Sequence, residues 1–187
     1  MKRALSLNAF VLLAAVAAGA QSWSLKAPIA QKPAFLTSIG QSADIEMVKV
    51  LLDRNGIPFK ADEGVAAKAL AATGAKTLVL AIGGSSKGLG AAGISAEAEL
   101  ERTKALLAEA KRLGMKIIGV HVGGEARRGE LSDKFIVAAL PSCDYVVIVA
   151  DGDKDGLFAK LCGSKIPLDK VDKISKAGVP IAAAFVK

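Results

Sequence analysis

Short apolar runs alternate with amphipathic segments along most of the chain. The runs are Phe35 to Ile39, the weaker Ile57 to Lys60, Thr77 to Ile82, Lys116 to Val122, Asp144 to Val149 and Pro180 to Val186. The three strongest read TLVLAI, KIIGVHV and DYVVIV, continuous rather than alternating, which is the pattern of strands covered on both faces in a parallel sheet. Helix punctuation lies between them. Ser42 precedes a stretch with Asp44 and Glu46 in its first turn and Gly56 past its end, and Asp62 and Gly74 bracket the next. From Ser95 to Leu113, Leu100, Leu106, Leu107, Ala110 and Leu113 form an apolar stripe. Glu99/Arg102, Glu101/Lys104 and Glu109/Arg112 pair at i, i+3 on the side expected to face water. Ser132 opens a further helix that Pro141 closes, and Pro167 to Ala177 reads as the last one, ended by Gly178 and Pro180. Strands alternating with helices of this length predict right-handed βαβ units. The expected fold is therefore α/β: a three-layer, doubly wound, mainly parallel sheet, flavodoxin-like or Rossmann-like, in a single domain. The weak run at Ile57 decides between five and six strands, and a flavodoxin-like order is preferred.

The first residues change the picture of where this domain works. Lys2 and Arg3 precede an apolar run to Ala18, and Ala18-Gly19-Ala20 supplies an A-x-A cleavage site. The competing reading, a membrane anchor, meets a run that is short for a span and ends in small residues. We expect a secretory signal peptide over residues 1–20, a mobile lead segment over 21–33 and the α/β domain over 34–187. The mature protein is expected to be secreted or periplasmic, with no membrane span after cleavage. Of 187 residues, 52% are hydrophobic, enough for a sizeable core and too many for a disordered chain. The formal net charge of +7 falls to +5 when Lys2 and Arg3 leave. The remaining bases are interspersed with acids and only 4% of residues are aromatic, so a nucleic-acid partner is not expected. The mild basic excess fits solubility or an anionic ligand. Cys143 and Cys162 are the only cysteines. In an oxidising compartment they are either a disulfide or two separate buried thiols, and the spacing leaves both open.

In an open α/β sheet, ligands bind outside the carboxyl ends of the strands. That rule singles out four loops: Gly40 to Asp44, Gly83 to Gly90, His121 to Arg128, and Asp151 to Gly156. The second contains Gly84-Ser85-Ser86-Lys87-Gly88-Leu89-Gly90, whose G-x-x-x-G-x-G spacing resembles the cofactor loop of short-chain dehydrogenases. Gly83 stands where that family has Thr, however, and Val149 rather than Lys follows Tyr145 by four residues. The next helix is expected only at Ser95, and the loop follows the third strand candidate. The residues thus speak against NAD(P). Ser38-Ile39-Gly40-Gln41-Ser42 resembles a flavodoxin phosphate loop, but no aromatic pair is placed to sandwich a flavin. Asp151, Asp153 and Asp155 with Gly156 open like a calcium loop, yet the twelfth position is Cys162, so an EF-hand is excluded. They are candidate calcium ligands, or else caps of the helix that follows. His121 is the sole histidine. It is a ligand-orienting residue or, with Ser85 or Ser86 as nucleophile, a catalytic base, although neither serine lies in a G-x-S-x-G elbow. Arg127 and Arg128 with Lys87 are candidates to clamp a carboxylate or phosphate.

Taken together, LTSIGQSAD, AIGGSSKGLGAAGIS, VHVGGEARRG and VADGDKDG resemble an uncharacterised family of exported bacterial proteins, a domain of unknown function, over most of Ala34 to Lys187. The resemblance implies an α/β fold and a secretion context and transfers no catalytic residue. The leading expectation is a protein that binds a small polar or anionic ligand through Ser42, Gly84, Ser85, Ser86, Lys87, His121, Arg127 and Arg128. A hydrolase using Ser85 or Ser86 with His121, and a structural or partner-binding envelope protein, are the alternatives.

Overall fold

A computed structural model describes residues 23–187; the expected signal peptide over 1–20 lies outside the described residues. The sheet has six strands, all parallel: β1 (Ala34–Ile39), β2 (Phe59–Ala61), β3 (Thr77–Ile82), β4 (Lys116–His121), β5 (Tyr145–Val149) and β6 (Leu168–Val171), in the order β2-β1-β3-β4-β5-β6. This is the flavodoxin-like order with β6 added at one edge; the weak run at Ile57 supplies β2 at the other edge, and the doubly wound expectation holds. The helices are α1 (Asp44–Arg54), α2 (Ala67–Leu70), α3 (Ser86–Ala91), α4 (Ala96–Arg112), α5 (Glu130–Ala139), α6 (Leu157–Cys162) and α7 (Ile174–Ala183).

The central strands are apolar throughout because each face carries its own core. Along β3, Leu78, Leu80 and Ile82 pack with Leu106, Phe135 and Phe158 in one cluster, while Val79 and Ala81 pack with Ile45, Val48 and Ile181 in the other. Alternate residues of a strand point to opposite faces, so a strand between two helix layers needs apolar residues at every position. Helices α2, α4, α5 and α6 cover the first face and α1 and α7 the second. After β1 the chain moves outward to β2, and after β3 it moves the other way to β4. The connections therefore diverge between β1 and β3, which is the topological switch point.

Three expectations are corrected. Pro180 to Val186 is not a strand and Pro167 to Ala177 is not a helix; the last strand is β6, and Pro180 lies inside α7. Burial alternates along β6, with Asp169 and Val171 buried and Lys170 exposed, so a short half-covered strand was hidden among charges. The apolar tail is helical because α7 docks on α1. Gly178 permits that approach, since a Cβ there would lie 2.2 Å from Asn55 Nδ2. Second, the glycine-rich segment after β3 is not a loop running to Ser95. It forms α3, capped by Ser85, whose Oγ accepts from Gly88 N at 3.0 Å, with Leu89 buried beneath. Third, the lead segment is tied down from Trp23 onward. Ser24 N donates to Asp169 Oδ1 at 2.9 Å, Ile29 N and Ala30 N donate to Ala184 O, and Gln31 exchanges hydrogen bonds with Thr77 Oγ1. Ala30 is fully buried, and Trp23, Leu25 and Ile29 pack on the α1/α7 side of the core.

Candidate functional site

The four polar loops do share the carboxyl rim of the sheet, and most of their side chains are committed to holding the rim together. Beneath the switch point lies a buried ion pair. Glu99 in α4 is fully buried, and its Oε1 accepts from Gly40 N at 2.9 Å, from Gln41 Nε2 at 3.3 Å and from Arg102 at 2.7 Å. Arg102 donates onward to Val65 O at 3.0 Å and Ser38 O at 2.5 Å. All three i, i+3 pairs of this helix form, but Glu99/Arg102 does not face water as expected, because the β1–α1 loop lies over it. Gln41 pairs with Gly84 across the switch point, closing its centre.

His121, also fully buried, links β4 to its neighbours. Its Nδ1 faces Ile82 O at 2.9 Å and its Nε2 faces Gly124 O at 3.3 Å, with the ring against Phe158. A neutral imidazole donates to one of these carbonyls and the fully protonated ring to both. Ser85 is occupied as the α3 cap, both ring nitrogens face carbonyl oxygens instead, and Ser86 is exposed as the first residue of α3. No hydrogen bond joins His121 to either serine among the described residues. Ser42 is buried, its Oγ accepting from Asp44 N at 3.3 Å. Ser132 Oγ holds Gly84 by accepting from its amide at 2.9 Å.

Nor does the acidic loop converge. Asp153 caps α6, accepting from Phe158 N at 2.7 Å and Ala159 N at 3.1 Å, and pairs with Lys170 at 2.7 Å. Asp155 pairs with Arg128 and Asp151 is exposed. Among the described residues no group of three His, Cys, Asp or Glu side chains is placed to hold a metal ion. The capping reading of Asp153 and Asp155 therefore describes this loop, and the carboxylates expected as calcium ligands point to different partners. Arg128 is likewise spoken for. It forks between Asp133 and Asp155, donates to Gly152 O and stacks 5.5 Å from the Phe158 ring centre. The Asp133 and Asp155 carboxylates push its guanidinium further up, and Arg128 holds Asp155 down at about 2.

What remains uncommitted is small and adjacent. Arg127 is about half exposed, and its one ion-pair partner among the described residues is Asp44, Nε to Oδ1 at 3.6 Å. It borders a cavity of about 260 Å³ lined by Gly84, Ser86, Arg128 and residues 129–132, the first turn of α5. The amides of a helix's first turn have no intrahelical acceptor, so they favour an anion there. Lys87 lines a different cavity of about 320 Å³ with Gln41, Ser42, Glu46 and Glu63. The expected three-cation clamp is thus split between two sides of α3, and Arg127 is its uncommitted member on the α5 side.

One residue escaped the sequence reading as a ligand candidate. Asp44 opens α1 and is buried, yet its Oδ2 has no hydrogen-bond partner among the described residues. A buried acceptor left unmade costs about 1–3 kcal/mol, so its persistence asks for a reason. Gly123 is shaped to it: a Cβ there would lie 2.5 Å from Asp44 Oδ2 and 2.1 Å from Arg127 Cγ. From sequence, Asp44 looked like any acid favouring a helix N-terminus; its place beside the switch point was the available signal.

With this geometry in view, residues 31–185 match the model of a family described as a domain of unknown function, DUF6305. The chain belongs to that family. The match bears out the resemblance of the four loop segments to a domain of unknown function. No functionally curated protein matches the chain. Among solved structures, a GDSL-like lipase from Bacteroides thetaiotaomicron aligns with 79% of this DUF6305 chain and 72% of its own, at 12% identity and a TM-score of 0.35. The YdjI aldolase from Escherichia coli K12 aligns with 83% of this chain and 66% of its own, at 14% identity and a TM-score of 0.31. Their activities stay with those proteins. No helix of the described DUF6305 domain is long and apolar enough to cross a membrane.

Proposed function

We propose that this DUF6305 protein is exported, by the signal peptide expected at residues 1–20, and binds a small anionic molecule at the carboxyl rim of its sheet. One observation carries the ligand reading. Arg127 stands half exposed, its guanidinium making no hydrogen bond among the described residues, beside a cavity that Ser86 and the first turn of α5 also line. A guanidinium and helix-terminal amides are complementary to carboxylate or phosphate. The binding reading is favoured over a hydrolase because Ser85 is engaged as a cap and both nitrogens of His121 face carbonyl oxygens.

Thermal-shift screening of the purified protein against phosphate, organic acids, sugars, nucleotides and calcium tests it, since a ligand preferring the folded state raises the apparent stability. The expected result is a shift with organic or inorganic anions that disappears in Arg127→Ala and survives in Lys87→Ala. An anion shift of equal size in Arg127→Ala would overturn the placement, and a shift confined to calcium would overturn the anion reading.

A further inference from the structure

Asp44 and Arg127 together say more about the ligand than its charge. The Arg127 side chain lies over Gly123 and beside Asp44, whose Oδ1 faces Arg127 Nε at 3.6 Å while Oδ2 is buried and bare. Asp44 is thus an acceptor already desolvated, at the first turn of the eleven-residue α1 and covered by a side chain that is itself half exposed. What an unpartnered buried carboxylate oxygen needs is a donor, and a charged or polarised donor satisfies it best. Arg127, whose Nε faces the other oxygen of that carboxylate, also lines the cavity at the first turn of α5, where acid groups are favoured. An anion that carries no donor would leave Asp44 Oδ2 bare and place negative charge near it.

We propose that the ligand is a small carboxylic acid bearing a hydrogen-bond donor, an ammonium or a hydroxyl, on the carbon beside its acid group. Arg127 swings off Asp44 to join the α5 amides on the carboxylate, and Asp44 Oδ2 receives the donor. The inference rests on the anion-binding reading above and adds the second point of attachment. It makes Asp44 a specificity residue: Arg127 selects for the acid and Asp44 for what stands next to it.

Propionate, L-lactate and L-alanine test this directly, since they share three carbons and a carboxylate and differ only in carrying no donor, a hydroxyl or an ammonium. Each is titrated into the purified protein and its dissociation constant read from thermal shift or calorimetry. L-alanine or L-lactate is expected to bind about tenfold tighter than propionate, the scale of one charge-assisted hydrogen bond, and the tighter of the two identifies the donor. In Asp44→Asn an L-alanine preference is expected to shrink to about twofold, whereas Arg127→Ala weakens all three alike. Equal affinity of the unmodified protein for all three would overturn the proposal and leave the anion reading standing. So would a preference unchanged in Asp44→Asn. Because the comparison on the unmodified protein needs no variant, a misfolded Asp44→Asn does not shield the proposal. No response to these acids or to inorganic phosphate would overturn the anion reading itself, and this inference with it.

Discussion

The Glu99–Arg102 pair offers the sharpest physical test, because the whole rim stands on it. Glu99 has no exposed side-chain surface and Arg102 only 14%. Replacing Arg102 by Met keeps the side chain's length and removes its charge. The Glu99 carboxylate then keeps only Gly40 N and Gln41 Nε2, and the carbonyls of Ser38 and Val65 lose their donor. Removing one partner of a buried ion pair typically costs about 3–5 kcal/mol, chiefly because the other charge stays buried without compensation. That is a large part of the about 5–15 kcal/mol by which ordinary domains are stable. With a urea dependence of about 2 kcal/mol per molar, the unfolding midpoint of Arg102→Met should fall by about 2 M. Glu99→Leu should cost less than Arg102→Met, since the stranded guanidinium is nearer to water.

The double variant Glu99→Leu/Arg102→Met decides the argument. Replacing both members of a buried pair with apolar residues of similar volume is often close to neutral, so the double variant should be more stable than Arg102→Met alone. Hydrogen exchange at the Gly40 amide should accelerate in Glu99→Leu, which removes its acceptor. A loss under about 1 kcal/mol in Arg102→Met, or strictly additive losses in the double variant, would refute the claim that this pair is buried and coupled.

Three further outcomes follow from the same geometry. Asp169→Ala should destabilise the fold by about 2–3 kcal/mol, because it strands the buried Tyr145 hydroxyl, now 2.5 Å from Asp169 Oδ2, and releases Ser24; adding Tyr145→Phe should restore part of the loss in urea unfolding, and no restoration would count against the shared bond. Arg128 lowers Asp155 from an ordinary carboxylate to about 2. A depressed folded-state value contributes stability above the unfolded value near 4 and loses it as pH falls to about 2; wild type and Asp155→Asn should therefore differ in melting temperature at pH 7 and converge near pH 2, and a gap that persists at pH 2 would refute the pairing. Burial pushes the Cys162 thiol up to about 11 and raises Cys143 as well, the two thiols being free. Both should resist a thiol reagent at pH 8 in the native protein and both should react in denaturant without reductant, whereas no reaction in denaturant would reveal a disulfide.

How much of this was legible in the sequence depends on whether a residue's meaning was local. β3, β4 and β5 could be read because a strand sandwiched between helices must be apolar at every position, and a run such as TLVLAI has few other homes. β6 failed that test: LDKV covers one edge of the sheet, and its Asp169 is a buried acceptor for Tyr145 and Ser24, contacts made by residues far away in sequence. Pro180 misled for the same reason, since a helix that docks on α1 tolerates an interior proline that an isolated one would not. At the site, Arg127 and Ser86 were visible as polar residues at strand ends, because topology alone sends those loops to the rim. The division of labour among their neighbours was not. Arg127 and Arg128 are adjacent in sequence, yet one is locked between Asp133 and Asp155 and the other stands beside a cavity. Glu99/Arg102 and Glu101/Lys104 share one spacing on one helix, yet the first pair is roofed by the β1–α1 loop and the second faces solvent. In both cases the deciding variable is desolvation, which belongs to the assembled rim and not to any window of sequence. The same variable turns Asp44 from a routine first-turn acid into a bare buried acceptor, and makes it the residue through which this rim would discriminate between ligands.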